Sequence, residues 1–317
     1  MSEASVGRLR ELAVLGRTTG TAGSGGGSVA DPLRLGDPAR VRRVAMMALS
    51  TVGEVGSDVL EGAVRDPDPD VRRLALMVLG RGTPAEGTSG ALINALTDPS
   101  PRVRVEALRA YAAQAPGAQE CPLLFSSARD QDLAVALAAL DLLQQACEDR
   151  PVQDEILSGL AAGLATAGPM DWHRGAHALV SLATVSPDVA APLVGGAVRS
   201  AIPFARMYAA RAATTIRNTD VLNALAADPS PNVRTVAVQG LFSLSGHGAD
   251  GVLVAQLDQD DPELLLTVAG LLEGMPSAAV AVGPLIAALA RVSQAQRETA
   301  RDPRMALLER IGEGGEC

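Results

Sequence analysis

The stretch "DPDPDVRRLALMVLG", residues 66–80, contains the signals that decide the fold. Its two Asp-Pro pairs end any preceding helix, because proline lacks a backbone N–H and its ring clashes with the preceding turn. An Arg pair then leads into an apolar run in which Val71, Ala75 and Val78 share one helical face. The stretch predicts a turn followed by an amphipathic helix, with Asp70 placed to cap the first backbone amides.

The same unit recurs along the chain. Copies begin at Asp98 ("DPSPRVRVEALRAYAA") and Asp228 ("DPSPNVRTVAVQGLFSLSG"), and a shortened one begins at Asp37. A valine four or five residues after the first Asp marks the register. It lies at Val41, Val71, Val103, Val135 and Val233, with weaker copies around Trp172, Ala205 and Leu265. A recurrence near 30 residues is typical of a solenoid, in which each repeat here is a helix A, a proline turn and a helix B.

The D-P-x-P-x-V-R-x-x-A pattern resembles the HEAT repeat, in particular the short HEAT-like repeats first noted in phycobilin lyases. The resemblance covers roughly residues 37–272. It implies an all-α, right-handed α-solenoid of about eight to nine stacked two-helix repeats. It also implies a polar ladder between repeats, made by the turn Asp and the Arg after the register valine. In this chain the ladder residues are Asp68, Arg72, Asp98, Arg104, Asp228 and Arg234.

The composition narrows the function. The chain has 317 residues and a net charge of −9, and all 27 basic residues are Arg. The absence of Lys excludes Schiff-base and P-loop lysine chemistry. Only 2% of the residues are aromatic, which argues against base stacking on nucleic acid. An Arg-only, Ala-rich and Gly-rich composition indicates a GC-rich bacterial genome, such as an actinobacterial one.

Three segments organise the chain. Residues 1–16 predict an N-terminal helix, residues 17–30 a Gly/Ser-rich flexible linker, and residues 31–317 the solenoid with C-terminal capping helices. No secretory signal is legible, and the three cysteines form neither a CxxC motif nor an even framework. We therefore expect reduced thiols and a cytoplasmic protein.

Candidate chemistry is sparse. His173 and His177 are spaced i and i+4 in "DWHRGAH", which could place both on a metal, but further ligands are not legible and helix packing explains them as well. We expect no metal and no other cofactor. No Ser-His-Asp or Cys-His arrangement is present, so an enzymatic function is neither supported nor excluded.

The informative positions are the second, third and sixth after each register residue, which the repeat does not use for packing. We define the B-helix stripe by the residues there that a partner could contact, and we expect it to line a concave surface: Arg43, Met47, Arg73, Met77, Glu106, Arg109, Arg174, Met207, Tyr208, Arg211 and Gln239. Arg recognises carboxylate or phosphate with two parallel hydrogen bonds, and Met adapts to irregular surfaces. An ordinary solvated helix face stays an open alternative.

Three functions compete. The sequence favours a non-enzymatic scaffold or adaptor that binds an acidic or amphipathic protein or peptide along the stripe. Nucleic-acid binding or repair, as in the HEAT-like alkylpurine DNA glycosylases, fits the Arg residues but not the net charge of −9. An accessory or lyase-type role in a bacterial biosynthetic pathway is implied by the resemblance alone.

Overall fold

The computed structural model of the chain describes residues 2–14, 38–82, 88–114, 121–294 and 303–314. Within these residues all regular structure is helical, and the helices are arranged as an α-solenoid of helix pairs. The chain divides into two compact units, Met1–Leu142 and Leu143–Cys317. The predicted all-α solenoid is confirmed, and the predicted linker at residues 17–30 lies outside the described residues.

The first unit contains an N-terminal helix followed by alternating B and A helices. Their bounds are α1 Glu3–Ala13, α2 Pro38–Val52, α3 Ser57–Ala63, α4 Pro69–Arg81, α5 Thr88–Ala95, α6 Pro101–Gln114, α7 Cys121–Ser127 and α8 Leu133–Leu142. The B helices α2, α4, α6 and α8 pack side by side, each against the next. The A helices α3, α5 and α7 pack against the B helix that follows each of them.

The register residue and the alanine four positions later hold the helices together. In the first unit these pairs are Val41 and Ala45, Val71 and Ala75, Val103 and Ala107, and Val135 and Ala139, and all eight side chains are buried. Alanine at the second position keeps neighbouring helices close, because it adds no bulk between backbones. The repeat therefore builds its core from small aliphatic side chains and needs few aromatic residues.

The N-terminal helix is part of the first unit's core. Ala13 of α1 is fully buried, and Val6, Leu9 and Leu12 pack around it against the apolar faces of α2 and α3. Arg10 donates hydrogen bonds to the backbone carbonyl of Glu54, in the turn before α3. Helix α1 thus covers apolar surface of α2 and α3, as terminal elements of solenoids do.

The second unit begins with a longer A helix. Its helices are α9 Arg150–Ala162, α10 Trp172–Val185, α11 Pro187–Ala197, α12 Pro203–Thr215, α13 Thr219–Leu225, α14 Pro231–Ser245, α15 Asp250–Gln256, α16 Pro262–Leu271, α17 Ala278–Gln294 and α18 Arg304–Gly314. Single 3-10 turns lie at Gly163–Thr166 and Gly246–Ala249. The B helices α10, α12, α14, α16 and α18 again pack in sequence order.

Burial corrects the register of α10. In α12 and α14 the buried positions are the register residue and those four, five, seven and eight residues later. In α10 the buried residues Ala178, Leu179, Ser181 and Leu182 fit this spacing when Arg174 is the register residue. The register predicted from the sequence, at Trp172, is therefore two residues too early. The sequence does not distinguish the two registers, because an alanine lies four residues after Trp172 and also four residues after Arg174.

The turn before α4 differs from expectation in its cap. Asp68, not Asp70, is the N-cap, since its side chain accepts hydrogen bonds from the backbone N–H groups of Asp70 and Val71, both 3.0 Å long. Asp70 lies in the first helical turn and pairs with Arg43 instead. A carboxylate is favourable both at the N-cap and in the first turn of a helix, so the sequence does not show whether Asp68 or Asp70 is the cap.

The cysteines also differ from expectation. Cys121 and Cys147 are buried and disulfide-bonded, which contradicts the prediction of reduced thiols. Cys317 lies outside the described residues. Disulfides persist mainly in oxidising compartments, so the cytoplasmic location stays a prediction. No described helix is long and apolar enough to cross a membrane.

Candidate partner-binding surfaces

A ladder of Arg–Asp pairs connects successive repeats of the first unit. Arg72 donates two parallel hydrogen bonds to Asp98, of 2.7 and 2.8 Å, and Arg104 donates two to Asp130, of 2.9 and 2.7 Å. Each guanidinium also donates to a backbone carbonyl of its own turn. The hydrogen bond to Asp98 raises the pKa of Arg72, although burial acts in the opposite direction. These side chains satisfy one another and are not available to a partner.

The most buried rung joins Arg42 to Asp66. Its two hydrogen bonds are 2.8 and 2.7 Å long, and the side chains are 4% and 0% exposed. The ladder position in this turn therefore belongs to Asp66, whereas Asp68 is the helix cap described above. The assignment of Asp68 to the ladder was wrong, because this turn contains two Asp-Pro pairs and the first one carries the rung.

In the second unit, Arg206 and Asp228 form a rung of the same kind. Its hydrogen bonds are 2.6 and 2.8 Å long. Burial opposes ionisation of Asp228, but the hydrogen bonds from Arg206 and the Ser230 backbone N–H, together with the charges of Arg206 and Arg234, outweigh it and lower its pKa. The carboxylate of Asp228 therefore stays ionised because of its partners.

Arg234 starts the next rung but does not complete it. It donates to the backbone carbonyl of Asp228, while its buried Nε has no hydrogen-bond partner among the described residues. Aligning Pro231 with Pro262 places Gln259 where the next ladder Asp would lie. An uncharged side chain at this position leaves the ladder without its carboxylate.

In the first unit the stripe begins on α2. Met47 and Val44 are 58% and 57% exposed, so this helix presents an apolar surface to solvent. Arg43 is half-buried and donates a 3.0 Å hydrogen bond to Asp70 of the next B helix. Met77 on α4 is half-buried and packs against the first unit's core. Of these stripe residues, Met47 is the most accessible.

A depression of about 550 Å³ lies where α4, α6 and the start of α8 meet. We call it the first-unit depression. Its lining is rich in charge and consists of Asp70, Arg73, Pro101, Arg102, Val105, Glu106, Arg109, Asp132 and Ala134. It brings together three predicted stripe residues, Arg73, Glu106 and Arg109, and adds Arg102, which the stripe did not include.

The charges in the depression are unequally satisfied. Arg73 lies 3.8 Å from Glu106 and 3.9 Å from Asp70, and Asp132 accepts hydrogen bonds from the first backbone amides of α8. Arg102 and Arg109 are exposed and pair with no carboxylate among the described residues. The acids are thus occupied within the fold, while two guanidinium groups remain open to solvent.

In the second unit the stripe residues of α12 form a compact group. Tyr208 is half-buried, and the guanidinium of Arg211 lies over its ring, 4.8 Å from the centroid. Met207 is half-buried beside them, and Gln239 is exposed on α14. Arg174 occupies the corrected register position of α10 and so leaves the stripe. His177, three residues later, lies at a stripe position instead.

An aromatic cluster that the sequence pattern did not predict lies on α10 and α12. Trp172 stacks on Phe204 with ring centroids 5.3 Å apart and an angle of 10° between the planes. His173 stacks on the same Trp at 3.9 Å, and Tyr208 leans against it at 5.7 Å. We call these four residues, with His177 and Arg211, the aromatic cluster. A low aromatic content gives the number of rings but not where the fold brings them together.

The histidines of the suggested metal pair have other partners. The Nε2 atom of His177 lies 3.0 Å from the hydroxyl of Tyr208, and the ring of His173 stacks on Trp172. Within the described ranges, no group of three or more His, Cys, Asp or Glu side chains could hold a metal ion.

Comparison with known proteins places the repeats in a family. Residues 56–144 match HEAT repeats, and residues 213–241 match the HEAT repeat associated with sister chromatid cohesion. No curated protein sequence matches the chain significantly.

Several solved structures are similar in fold. A structure of importin β shares 14% identity at a TM-score of 0.51, over 86% of this chain and 44% of its own. The CpcE–CpcF complex of phycocyanin lyase from a Nostoc species shares 18%, over 82% of this chain and 95% of its own, with a TM-score of 0.45. Kap121p bound to Pho4p shares 13%, over all of this chain and 42% of its own, with a TM-score of 0.45. The chain thus spans less than half the length of importin β and Kap121p.

The repeat matches agree with the all-helical α-solenoid of the described residues. The chain therefore contains HEAT repeats, matched within residues 56–144 and 213–241.

Proposed function

We propose that this protein is a scaffold or adaptor that binds an acidic segment of a protein partner on the exposed faces of its B helices, with the first-unit depression as one contact surface. The observation that carries the proposal is the pair of exposed guanidinium groups, Arg102 and Arg109, which have no carboxylate partner in the described structure. Arg in this state is suited to binding carboxylates with two parallel hydrogen bonds.

The surroundings support a peptide rather than a small ligand. The depression is open to solvent and lies along adjacent helices, so it can accept an extended or helical segment. The exposed Met47 and Val44 on α2 offer apolar contacts in the same unit. Met side chains adapt to partners of different shape. The stripe therefore combines charge recognition with apolar contact area.

The alternatives have less support. With a net charge of −9 and no Lys, the chain lacks the broad positive surface that binds phosphate backbones. A biosynthetic or lyase role would rest on likeness to the phycocyanin lyase subunits, which extends to the fold alone.

A displayed library of random peptides tests the proposal without a known partner. Selection on the wild-type chain should enrich peptides rich in Asp and Glu. The double variant Arg102→Glu/Arg109→Glu should bind the enriched peptides at least about tenfold more weakly, because it replaces two charge-assisted contacts with repulsion.

The matched control is Arg81→Glu/Arg129→Glu, which makes the same charge change at two exposed arginines outside the depression. It should retain binding, apart from a small loss that added salt reduces. Equal weakening by both double variants would mean that binding depends on the net charge of the chain and not on the depression. Failure to enrich any acidic peptide would reject the proposal.

A further inference from the structure

The aromatic cluster of the second unit concentrates residues that are rare in this chain. The sequence has one Trp, two Tyr and three Phe, together with three His. Trp172, Phe204 and Tyr208, three of the six Trp, Tyr and Phe residues, lie on the first two turns of α10 and α12, and so do His173 and His177. A core built from alanine and leucine does not need them there. Their position therefore calls for a role other than packing.

The cluster is ordered as a continuous stack. His173, Trp172 and Phe204 follow one another with nearly parallel planes, 22° and 10° apart. Tyr208 is held from the other side by the hydrogen bond to His177 and by the guanidinium of Arg211. Rings fixed by their neighbours lose little conformational entropy when a ligand binds. The stack is thus a preformed platform.

The platform is open rather than enclosed. The side chain of Phe204 is 49% exposed, and Trp172 and Tyr208 are half-buried. Arg211 is exposed and pairs with no carboxylate among the described residues. Trp, Tyr and Arg are the residues most enriched at the energetic centres of protein interfaces. An apolar surface beside an unpaired cation fits a ligand with an apolar group next to an anion.

We propose that the aromatic cluster is an anchor site for a peptide segment of the partner, in which a bulky apolar side chain is followed directly by Asp or Glu. The apolar side chain covers Phe204 and Trp172, and the carboxylate pairs with Arg211. The proposal rests on the proposed function in that the ligand is a protein segment, but it concerns the second unit and does not involve the first-unit depression.

The chain provides its own reporter, because Trp172 is the sole tryptophan and belongs to the platform. The probe is a synthetic peptide with the central sequence Phe-Asp-Glu, titrated into the full chain while tryptophan emission is recorded. We expect a saturable change in emission with half-saturation at about 1 mM or below. Replacing Phe by Ala in the peptide should weaken binding about tenfold or more. Replacing Asp and Glu by Asn and Gln should weaken it about threefold to fivefold.

Protein variants locate the site. Phe204→Ala removes a half-exposed side chain and should weaken the Phe-Asp-Glu peptide at least fivefold. Arg211→Glu should abolish the preference for the acidic peptide over its Asn-Gln form. Met305→Ala, at a side chain 67% exposed on α18 of the same unit, is the control and should change nothing. Circular dichroism checks that each variant keeps its helix content.

The outcomes separate the two proposals. No saturable change with any of the three peptides up to about 5 mM, or an unchanged response in Phe204→Ala, overturns the anchor site. Saturation by oligothymidylate in place of the peptides also overturns it, since it would identify the platform as a base-stacking surface. Library peptides that lose binding in Arg102→Glu/Arg109→Glu, together with no response of tryptophan emission to the Phe-Asp-Glu peptide, would leave the proposed function intact and reject this site.

Discussion

The first and second units are built from the same repeat, but the side chains that connect successive repeats within each unit differ. The described part of the first unit contains three Arg–Asp rungs. In each rung, an Arg of one repeat donates two hydrogen bonds to the turn Asp of the next repeat. In the second unit, a rung among the described residues joins Arg206 to Asp228. The repeat thus tolerates loss of its charged ladder where other contacts replace it.

In the second unit, two buried amide side chains make hydrogen bonds to backbone groups. Gln153 is fully buried, donates to the carbonyls of Leu143 and Gln145, and accepts from the backbone N–H of Cys147. Gln256 donates across to the carbonyl of Ala226 in the preceding repeat. An amide satisfies buried backbone groups without the desolvation cost of a charge. In the second unit, buried amides thus satisfy backbone groups, whereas the rungs of the first unit pair a guanidinium with a carboxylate.

The largest expected effect comes from breaking the most buried rung of the first unit. Asp66→Ala leaves the guanidinium of Arg42 buried without its carboxylate, and should lower the free energy of unfolding by about 3–5 kcal/mol. Urea denaturation followed by circular dichroism measures it. The control is Asp260→Ala, whose pair with Arg291 has a carboxylate 85% exposed, and which should cost about 1 kcal/mol or less. Equal costs for both variants would contradict a structural role for the buried ladder.

The rung of the second unit should show itself in the pH dependence of stability. The pKa of Asp228 is lowered in the folded protein, so its stabilising contribution is complete above the ordinary Asp pKa, about 3.9, and is lost as pH falls below that value. At neutral pH Asp228→Asn should cost about 1.5–3 kcal/mol. The difference in thermal midpoint between wild type and variant should shrink as the pH falls below about 4. A difference that stays constant with pH would refute the charged rung.

Close helix packing gives a smaller contrast. A Cβ atom at Gly80 of α4 would lie 2.8 Å from the Cα of Ala110 in α6, whereas one at Gly159 of α9 would meet nothing within 4 Å. Gly80→Ala should therefore destabilise by about 1–3 kcal/mol through overpacking. Gly159→Ala should stabilise by about 0.5–1 kcal/mol, because alanine favours the helix. Denaturant midpoints of the two variants should move in opposite directions, and shifts in the same direction would disprove the close approach.

Much of the fold was predictable because the repeat determines it locally. Proline turns, the register valines and the alanines four residues later recur in the sequence, and they lie where the helices begin and pack. The ladder carboxylate at Asp66 could also have been found. Aligning Pro69 with Pro101 places Asp66 opposite Asp98 and Asp68 opposite the Ser before the proline.

The site was harder to predict, for physical reasons. Trp172 lies two residues before its register position and Phe204 one residue before, so only the packing of α10 against α12 brings the rings together. The same holds for Arg102, which lies outside the stripe positions yet lines the depression. The disulfide-bonded state of Cys121 and Cys147 depends on distances that cysteine spacing does not reveal.

The central claim is that exposed B-helix side chains, and not the ladder, bind a protein partner. The most direct test is titration calorimetry of one library-selected acidic peptide against the wild type, Arg102→Glu/Arg109→Glu and Arg81→Glu/Arg129→Glu. We predict a Kd at least about tenfold higher for the first double variant, equivalent to about 1.4 kcal/mol, and a near-unchanged Kd for the second. Equal Kd values for the wild type and Arg102→Glu/Arg109→Glu would contradict the claim.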